Sequence, residues 1–479
     1  MFSACFPSEN DQFPSENDPE TGSRATSVRR KERGGPRYLP AMIRELTRFS
    51  VLPQDRYAPM PRSVRSARLA PLALVPLAAL VPLAALVLLR PPRAVPPCAP
   101  DNGGLTLPEG FCASVIASGV GPVRHLAVAP NGDLYAATGG GFFSGGVAAF
   151  RDADGDGVPD QRATFGPHGG NDVAVHDGNL YLALKDRVVR WRLTSGRLKP
   201  EGDPETIVGG LPDGGDHGDK TLAFPGGNVM LVKIGSASNS CQLFNRQSRS
   251  PGRAPCTELE RRAGLWRFDA DRKGQTFADG RRWATGLRNA EALTVQPGSS
   301  EVWAAVHGRD QLGGTWGFSD EANANNPAEE LVQVSEGDDI GWPYCYYSND
   351  VKRKVLAPEY GGDGRTVGRC ATTKDPALAF PGHWAPMSLA FYPGAQFGPG
   401  YQGGVFVAFH GSWNRAPLPQ AGFRVVFVPF ADGKPTGSYQ TFATRQGGRF
   451  RPVGLAVGKD GSLFVSADDK RTIWRIVKR

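Results

Sequence analysis

Apolar and polar positions alternate in short runs from about residue 105 to the C-terminus, and one phrase returns six times. It is an alternating apolar strand, a turn built from Gly, Pro, Asn and Asp, and a second apolar strand. Residues 126–135 read Leu-Ala-Val-Ala-Pro-Asn-Gly-Asp-Leu-Tyr; further copies occupy 173–181 and 222–230, and three more begin at Leu293, Leu389 and Leu455. Period two with such turns predicts hairpins. Several copies are followed by another strand, as at 264–268, 423–427 and 472–476. The early copies lie just under 50 residues apart, the repeat length of four-stranded propeller units. Six copies predict an all-β, six-bladed β-propeller. A pair of β-sandwiches would not repeat the phrase so evenly. The two longest intervals, 237–292 and 309–388, are expected to build the rim of a binding site, because insertions in repeat folds gather on one face.

The N-terminal part follows a different pattern. Residues 1–59 are polar and Arg-rich, with no apolar periodicity, and read as a disordered or mis-started extension. Residues 60–97 read as a signal peptide or membrane anchor: Arg62, Arg65 and Arg68 precede an uncharged apolar run from Leu69 to Leu89. That run is long for a cleaved signal and carries Pro71, Pro76 and Pro82, so cleavage and tethering both stay open. The propeller domain then spans 98–479. Net charge follows the same division. The chain carries +8, but residues 1–97 hold 14 Lys/Arg against 8 Asp/Glu, a net of +6, leaving +2 for the rest. No basic stripe with interleaved aromatics occurs in the body, which argues against nucleic acid as a partner.

Six cysteines lie in the body: Cys98, Cys112, Cys241, Cys256, Cys345 and Cys370. An even number in an exported chain predicts disulfides, and short loops favour 98–112, 241–256 and 345–370. The expected location is periplasmic or extracellular, with a tether at residues 69–89 as the variant.

Candidate chemistry centres on the loop Asp-Gly-Gly-Asp-His-Gly-Asp-Lys (213–220), just before a repeat strand. Its glycines allow sharp turns that push His217 over the sheet end. A carboxylate such as Asp216 can orient an imidazole that acts as general base; a solvated histidine in an acidic turn has the same sequence. Arg288 and Asn289 sit side by side before the fourth strand pair, and His307 to Asp310 follow it. Arg449 and Arg451, two apart, would share a strand face and could hold an anion. His410 opens the run His-Gly-Ser-Trp-Asn-Arg (410–415). A propeller brings all of these to one mouth of its channel, and converging cations imply a small polyanionic ligand. Asp152, Asp154, Asp156 and Asp160 have calcium-loop spacing, without the glutamate at position twelve, where Ala163 stands. Glu329 and Glu330, paired carboxylates ahead of Gly-Asp-Asp-Ile-Gly-Trp-Pro (337–343), suggest a second cation.

With these residues assembled, the chain resembles the soluble quinoprotein glucose/sorbosone dehydrogenase family over roughly 105–479. It is most similar to the branch of L-sorbosone dehydrogenases that also includes pyranose dehydrogenases. The motifs that carry the likeness are Asp216-His217, Gly-Leu-Arg-Asn (286–289), Ile-Gly-Trp-Pro (340–343), His-Trp-Ala-Pro (383–386), the 410–415 run and Arg449-x-Arg451. The resemblance implies a six-bladed propeller binding pyrroloquinoline quinone (PQQ) and calcium, which oxidises a sugar and passes electrons to an external acceptor. On that likeness His217 is the base and Asp216 supports it, Arg288 polarises the quinone carbonyl, and Asn289 contacts the ortho-quinone. The carbonyls of Gly308 and Arg309 hold the cofactor's calcium, and Arg449 and Arg451 bind its carboxylates. A structural calcium would use Glu329, Glu330 and the carbonyls of Ile340 and Tyr346. Two positions depart from the glucose dehydrogenases: His410 falls where they have lysine, and Asn171 where they have a glutamine contact. Two other readings fit the architecture, a calcium-dependent lactonase-type hydrolase and a non-catalytic propeller binding glycans or proteins. The first needs inward carboxylates in several blades, which the pore positions are not expected to supply.

Overall fold

The computed structural model describes residues 98–139 and 146–479. Both N-terminal expectations, for 1–59 and for 60–97, lie outside the described residues. Among the described residues no helix is long and apolar enough to cross a membrane.

Among the described residues, six sheets of four or more strands follow one another along the chain, antiparallel but for one parallel edge pairing in the second, between 205–209 and 275–276. Each opens on one of the six repeated phrases. The first strands are Val123–Val128, Asp172–His176, Leu222–Gly226, Ala292–Val295, Pro386–Phe391 and Pro452–Val457. Each packs beside the next, and the last returns to the first, so they form the inner wall of a closed ring. The sheets are the six blades, numbered here in chain order. Alternation explains the packing: successive side chains point to opposite faces, so one strand feeds the interface on each side of its blade. The buried apolar residues of the blades accordingly fall into six clusters, each between neighbouring blades. Between blades 5 and 6 the filling is aromatic, with Phe397, Phe406, Phe427 and Phe442 all buried. Each such side chain contributes roughly 1.5–3 kcal/mol of burial.

Closure of the ring is made by chain ends. Phe111–Ser118 pairs antiparallel with Thr472–Lys478 and supplies the outermost strand of blade 6. Leu105–Thr106 adds to the outer edge of blade 5. Neither pairing has a signature in the repeated phrase, which marks only the first two strands of each blade.

All three expected disulfides form: Cys98–Cys112, Cys241–Cys256 and Cys345–Cys370. Such bonds point to an extracytoplasmic setting. Two of them tie the long insertions, whose cysteines pack with Trp342 and Tyr344 in a small core of their own. A loop of about 15 residues closed this way is worth roughly 3 kcal/mol, so the rim is held stiffly although it lies outside the blades.

Candidate active site

His217 sits on the loop entering blade 3 and is 7% exposed. Two glycines let that loop lie against the next turn. At Gly215, with φ of 77°, an added Cβ would stand 2.6 Å from Ala237 Cα, and at Gly235 one would stand 2.6 Å from His217 Cβ. The close approach permits Asp216 N–H to donate to Ala237 O at 2.9 Å and His217 N–H to Ser236 O at 3.2 Å.

The ring is held by the same turn. Nδ1 lies 2.9 Å from Ser236 Oγ and 3.2 Å from Ser236 O. A carbonyl only accepts, so Nδ1 carries the proton. Ser236 Oγ donates to Ser238 O at 2.7 Å, which leaves its lone pairs for Nδ1–H. Nε2 therefore bears the lone pair. Burial, followed by the charges of Arg288, His307, Lys233 and Arg246, holds the imidazole pKa well below its usual 6.5. It is a neutral base with a fixed tautomer. The Asp216 carboxylate receives Arg246 Nε at 3.1 Å and Nη2 at 2.9 Å. Ser236 holds the ring. Lys220, buried under this loop, donates to Gly218 O and is pushed down to about 7 by burial and then by Lys233.

Arg288 is buried and clamped on three sides. Nε donates to Asn239 O and Nη2 to Asn239 Oδ1, both at 2.9 Å; Nη1 donates to Gly308 O at 2.8 Å, and Nη2 reaches Asp310 Oδ2 at 3.0 Å. Asp310 also receives Arg246 at 3.0 Å and Asn414 Nδ2 at 2.7 Å. Burial alone would raise Asp310, but Arg288 and Arg246 hold it at about 2. Arg246, Asn239 and Asp310 come from the two long insertions, which thus build the rim as expected.

From Asn289 a continuous belt of polar contacts runs through all six blades. Lys233 Nζ donates to Asn289 Oδ1 at 2.8 Å and to Glu291 Oε1 at 2.6 Å. Asn171 Nδ2 donates to Glu291 Oε2 at 2.9 Å, and Arg124 Nε to Asn171 Oδ1 at 2.9 Å. Arg124 Nη1 reaches Asp468 Oδ2 at 3.1 Å; His410 Nε2 donates to Asp468 Oδ1 at 3.0 Å, and its Nδ1 accepts from Arg451 Nη1 at 3.0 Å. Every link joins two different blades. Arg449 and Arg451 precede the first strand of blade 6 rather than lying on it, yet their guanidinium carbons meet one ring, Phe423, at 5.8 and 5.1 Å from its centroid. Carboxylates do stand at the mouth, contrary to expectation: Asp172, Glu291 and Asp468. Each is engaged by a base: His125 at 3.0 Å, Lys233 at 2.6 Å and Arg124 at 3.1 Å, respectively. They do not form the open cation cage of a metal hydrolase.

The expected metal ligands divide into two places. Gly308 and Arg309 follow the second strand of blade 4, and Glu329 lies next to them, its oxygens accepting Gly308 N–H at 3.0 Å and Ala385 N–H at 3.1 Å. Burial raises Glu329 to about 8 despite these bonds. Glu330, Ile340, Tyr346, Gly308 and Arg309 line one small cavity behind Arg288. Far along the chain, Asp152, Asp154 and Asp156 each offer an oxygen within 4.8 Å of the others, all exposed. Asp152 closes its own loop by accepting from Gly155 and Gly157 N–H at 2.6 and 2.7 Å, and Asp160 accepts from Ala153 N–H at 2.7 Å.

A propeller with a buried neutral histidine and a cationic mouth defines the class structurally, and comparison with known proteins supplies the family. The chain belongs to the TrAA12-like family, whose model matches residues 105–479. It is 28% identical over 303 residues, 53% of this chain and 38% of the relative, to a pyrroloquinoline quinone-dependent pyranose dehydrogenase of Coprinopsis cinerea. It is 27% identical over 201 residues, 40% of this chain and 48% of the relative, to an uncharacterised protein of Borreliella burgdorferi. The chain thus spans less than half the length of these curated relatives. Among solved structures it resembles the holo PQQ domain of the Coprinopsis cinerea pyranose dehydrogenase (TM-score 0.63, 22% identity, covering 78% of this chain and 97% of that one). It also resembles a calcium structure of Trichoderma reesei Carbohydrate-Active Enzymes Family AA12 (TM-score 0.65, 20% identity, 78% and 97%). Both are likenesses of fold.

Proposed function

We propose that the chain is a PQQ- and calcium-dependent dehydrogenase of a pyranose or related aldose, with His217 as its general base. The observation that carries this is the fixed Nε2 lone pair of a buried, neutral His217, beside Arg288 and a mouth rimmed with guanidiniums. Distant homology to a PQQ-dependent pyranose dehydrogenase supports it.

The donor set suits such a cofactor. Arg449 and Arg451, gathered on Phe423, would take its carboxylates. Asn289 and Asn171 present amides on the belt. The carbonyls of Gly308 and Arg309 would hold its calcium; Gly308 O already accepts from Arg288 and keeps a second lone pair. When bound, PQQ supplies a two-electron acceptor and calcium a Lewis acid. His217 Nε2 takes the hydroxyl proton of the sugar, and Ser236 stabilises the imidazolium through Nδ1–H. Arg288, immobilised by Asn239 and Asp310, presents fixed positive charge without having to reorganise.

Purified protein given PQQ and calcium is expected to reduce an artificial electron acceptor with pyranoses as donors. Absence of dye reduction across a panel of aldoses would sink the proposal, and lactone hydrolysis without quinone would favour the hydrolase. Arg451→Ala is expected to weaken PQQ binding about 10–100-fold, the worth of one charge-assisted contact at roughly 1.5–3 kcal/mol. A titration showing unchanged affinity would place the carboxylate site elsewhere.

A further inference from the structure

Lys354 lies on the hairpin formed by Cys345–Ser348 and Arg353–Leu356, opposite Tyr347. Its side chain is 2% exposed. Nζ stands 2.5 Å from Glu330 Oε2 and 2.6 Å from Ile340 O. Those two oxygens are half of the ligand set that the family resemblance assigns to a structural calcium. We infer that in this chain the Lys354 ammonium takes the place of that ion, and that the junction between blade 4 and the disulfide-tied hairpin holds no divalent cation.

Three features support the substitution. An ammonium is a compact point charge with three donors, and two of them are spent on Glu330 and Ile340. Calcium needs six to eight oxygens, whereas the nearby Glu329 oxygens are occupied by the N–H groups of Gly308 and Ala385. The cavity that Glu330, Ile340 and Tyr346 share is about 20 Å³ and is also lined by Arg288 and Arg309. That is room for one water, and a divalent ion beside Glu330 would face the Lys354 ammonium, which stands 2.5 Å from that carboxylate, at low dielectric. One positive charge on the chain itself thus neutralises Glu330. The hairpin is fixed to the blade without a metal, and only the cofactor's own calcium remains open to a chelator on this side of the ring.

Calorimetric titration of calcium into the quinone-free protein tests this, so the outcome is independent of the dehydrogenase reading. Wild type and Glu330→Gln are expected to bind the same number of ions, any ion at Asp152–Asp156 being common to both. Lys354→Ala is expected to bind one more ion than wild type, and Lys354→Ala with Glu330→Gln to lose it again. Should Glu330→Gln bind one ion fewer than wild type, the site holds calcium and the inference is overturned. That comparison decides the matter even if the lysine variants do not fold.

Discussion

Replacing His217 by alanine is expected to lower kcat by about 10²–10⁴-fold, the usual contribution of a positioned general base, while leaving PQQ affinity unchanged. The separation follows from geometry. Alanine keeps the Cβ that packs against Gly235, so the loop retains its path, and none of the groups proposed to hold the cofactor bonds to the imidazole. Turnover near normal in this variant would remove His217 from the chemistry. Ser236→Ala makes the complementary measurement: it removes the Oγ partner at 2.9 Å and leaves Nδ1–H only the backbone carbonyl at 3.2 Å, so it should reduce kcat less than His217→Ala does. The pH profile gives an independent check. Because burial and neighbouring cations depress the imidazole pKa well below 6.5, the base form persists as pH falls through that value. The acid limb of the rate profile should therefore lie below 6.5; a limb at or above it would mean that a different group accepts the proton.

The parts of this architecture that were legible in the sequence are those that repeat. The phrase beginning at Leu126, Val173, Leu222, Leu293, Leu389 and Leu455 marks the inner two strands of every blade, because inner strands are short, apolar and joined by tight turns. The residues just before them fall at the channel mouth for the same reason, which is why Arg288 and Arg451 could be nominated from position, whereas Asn171 was named only through the family resemblance. Partners supplied by long-range folding left no such trace. Ser236 lies 19 residues from His217 in an ordinary Gly-Ser-Ala-Ser turn, and nothing in its spacing marks it. Arg246, which bonds the Asp216 carboxylate, likewise sits on the Cys241–Cys256 loop, 30 residues away. Lys354 stands in a basic run beside Lys352 and Arg353, and only the hairpin pairing places it inside. Lys233 did carry a signal, a lone charge inside Val-Met-Leu-Val-Lys-Ile, where a strand buried on both faces should be apolar throughout.

That lysine carries the second large expected effect. Lys233 is fully buried and bonds Glu291, Asn289 and the carbonyl of Asp219. Burial would raise Glu291, but Lys233 and then Arg124 hold it far below the ordinary carboxylate range. Lys233→Met strands that carboxylate without its cation, and breaking one side of a buried pair costs about 3–5 kcal/mol. Glu291→Gln should cost less, since Lys233 keeps two acceptors. The double variant should be more stable than the sum of the single effects implies, because no uncompensated charge remains. Urea unfolding of the four proteins measures this, and strictly additive costs would show that the pair is not coupled. The effect reaches the site through Asn289, whose Oδ1 loses its donor in Lys233→Met. PQQ affinity should fall in that variant and recover little in the double one, whereas stability recovers more. The belt thus has two separable duties, which this pair of readouts distinguishes: it neutralises charge between blades, and it aims an amide into the mouth.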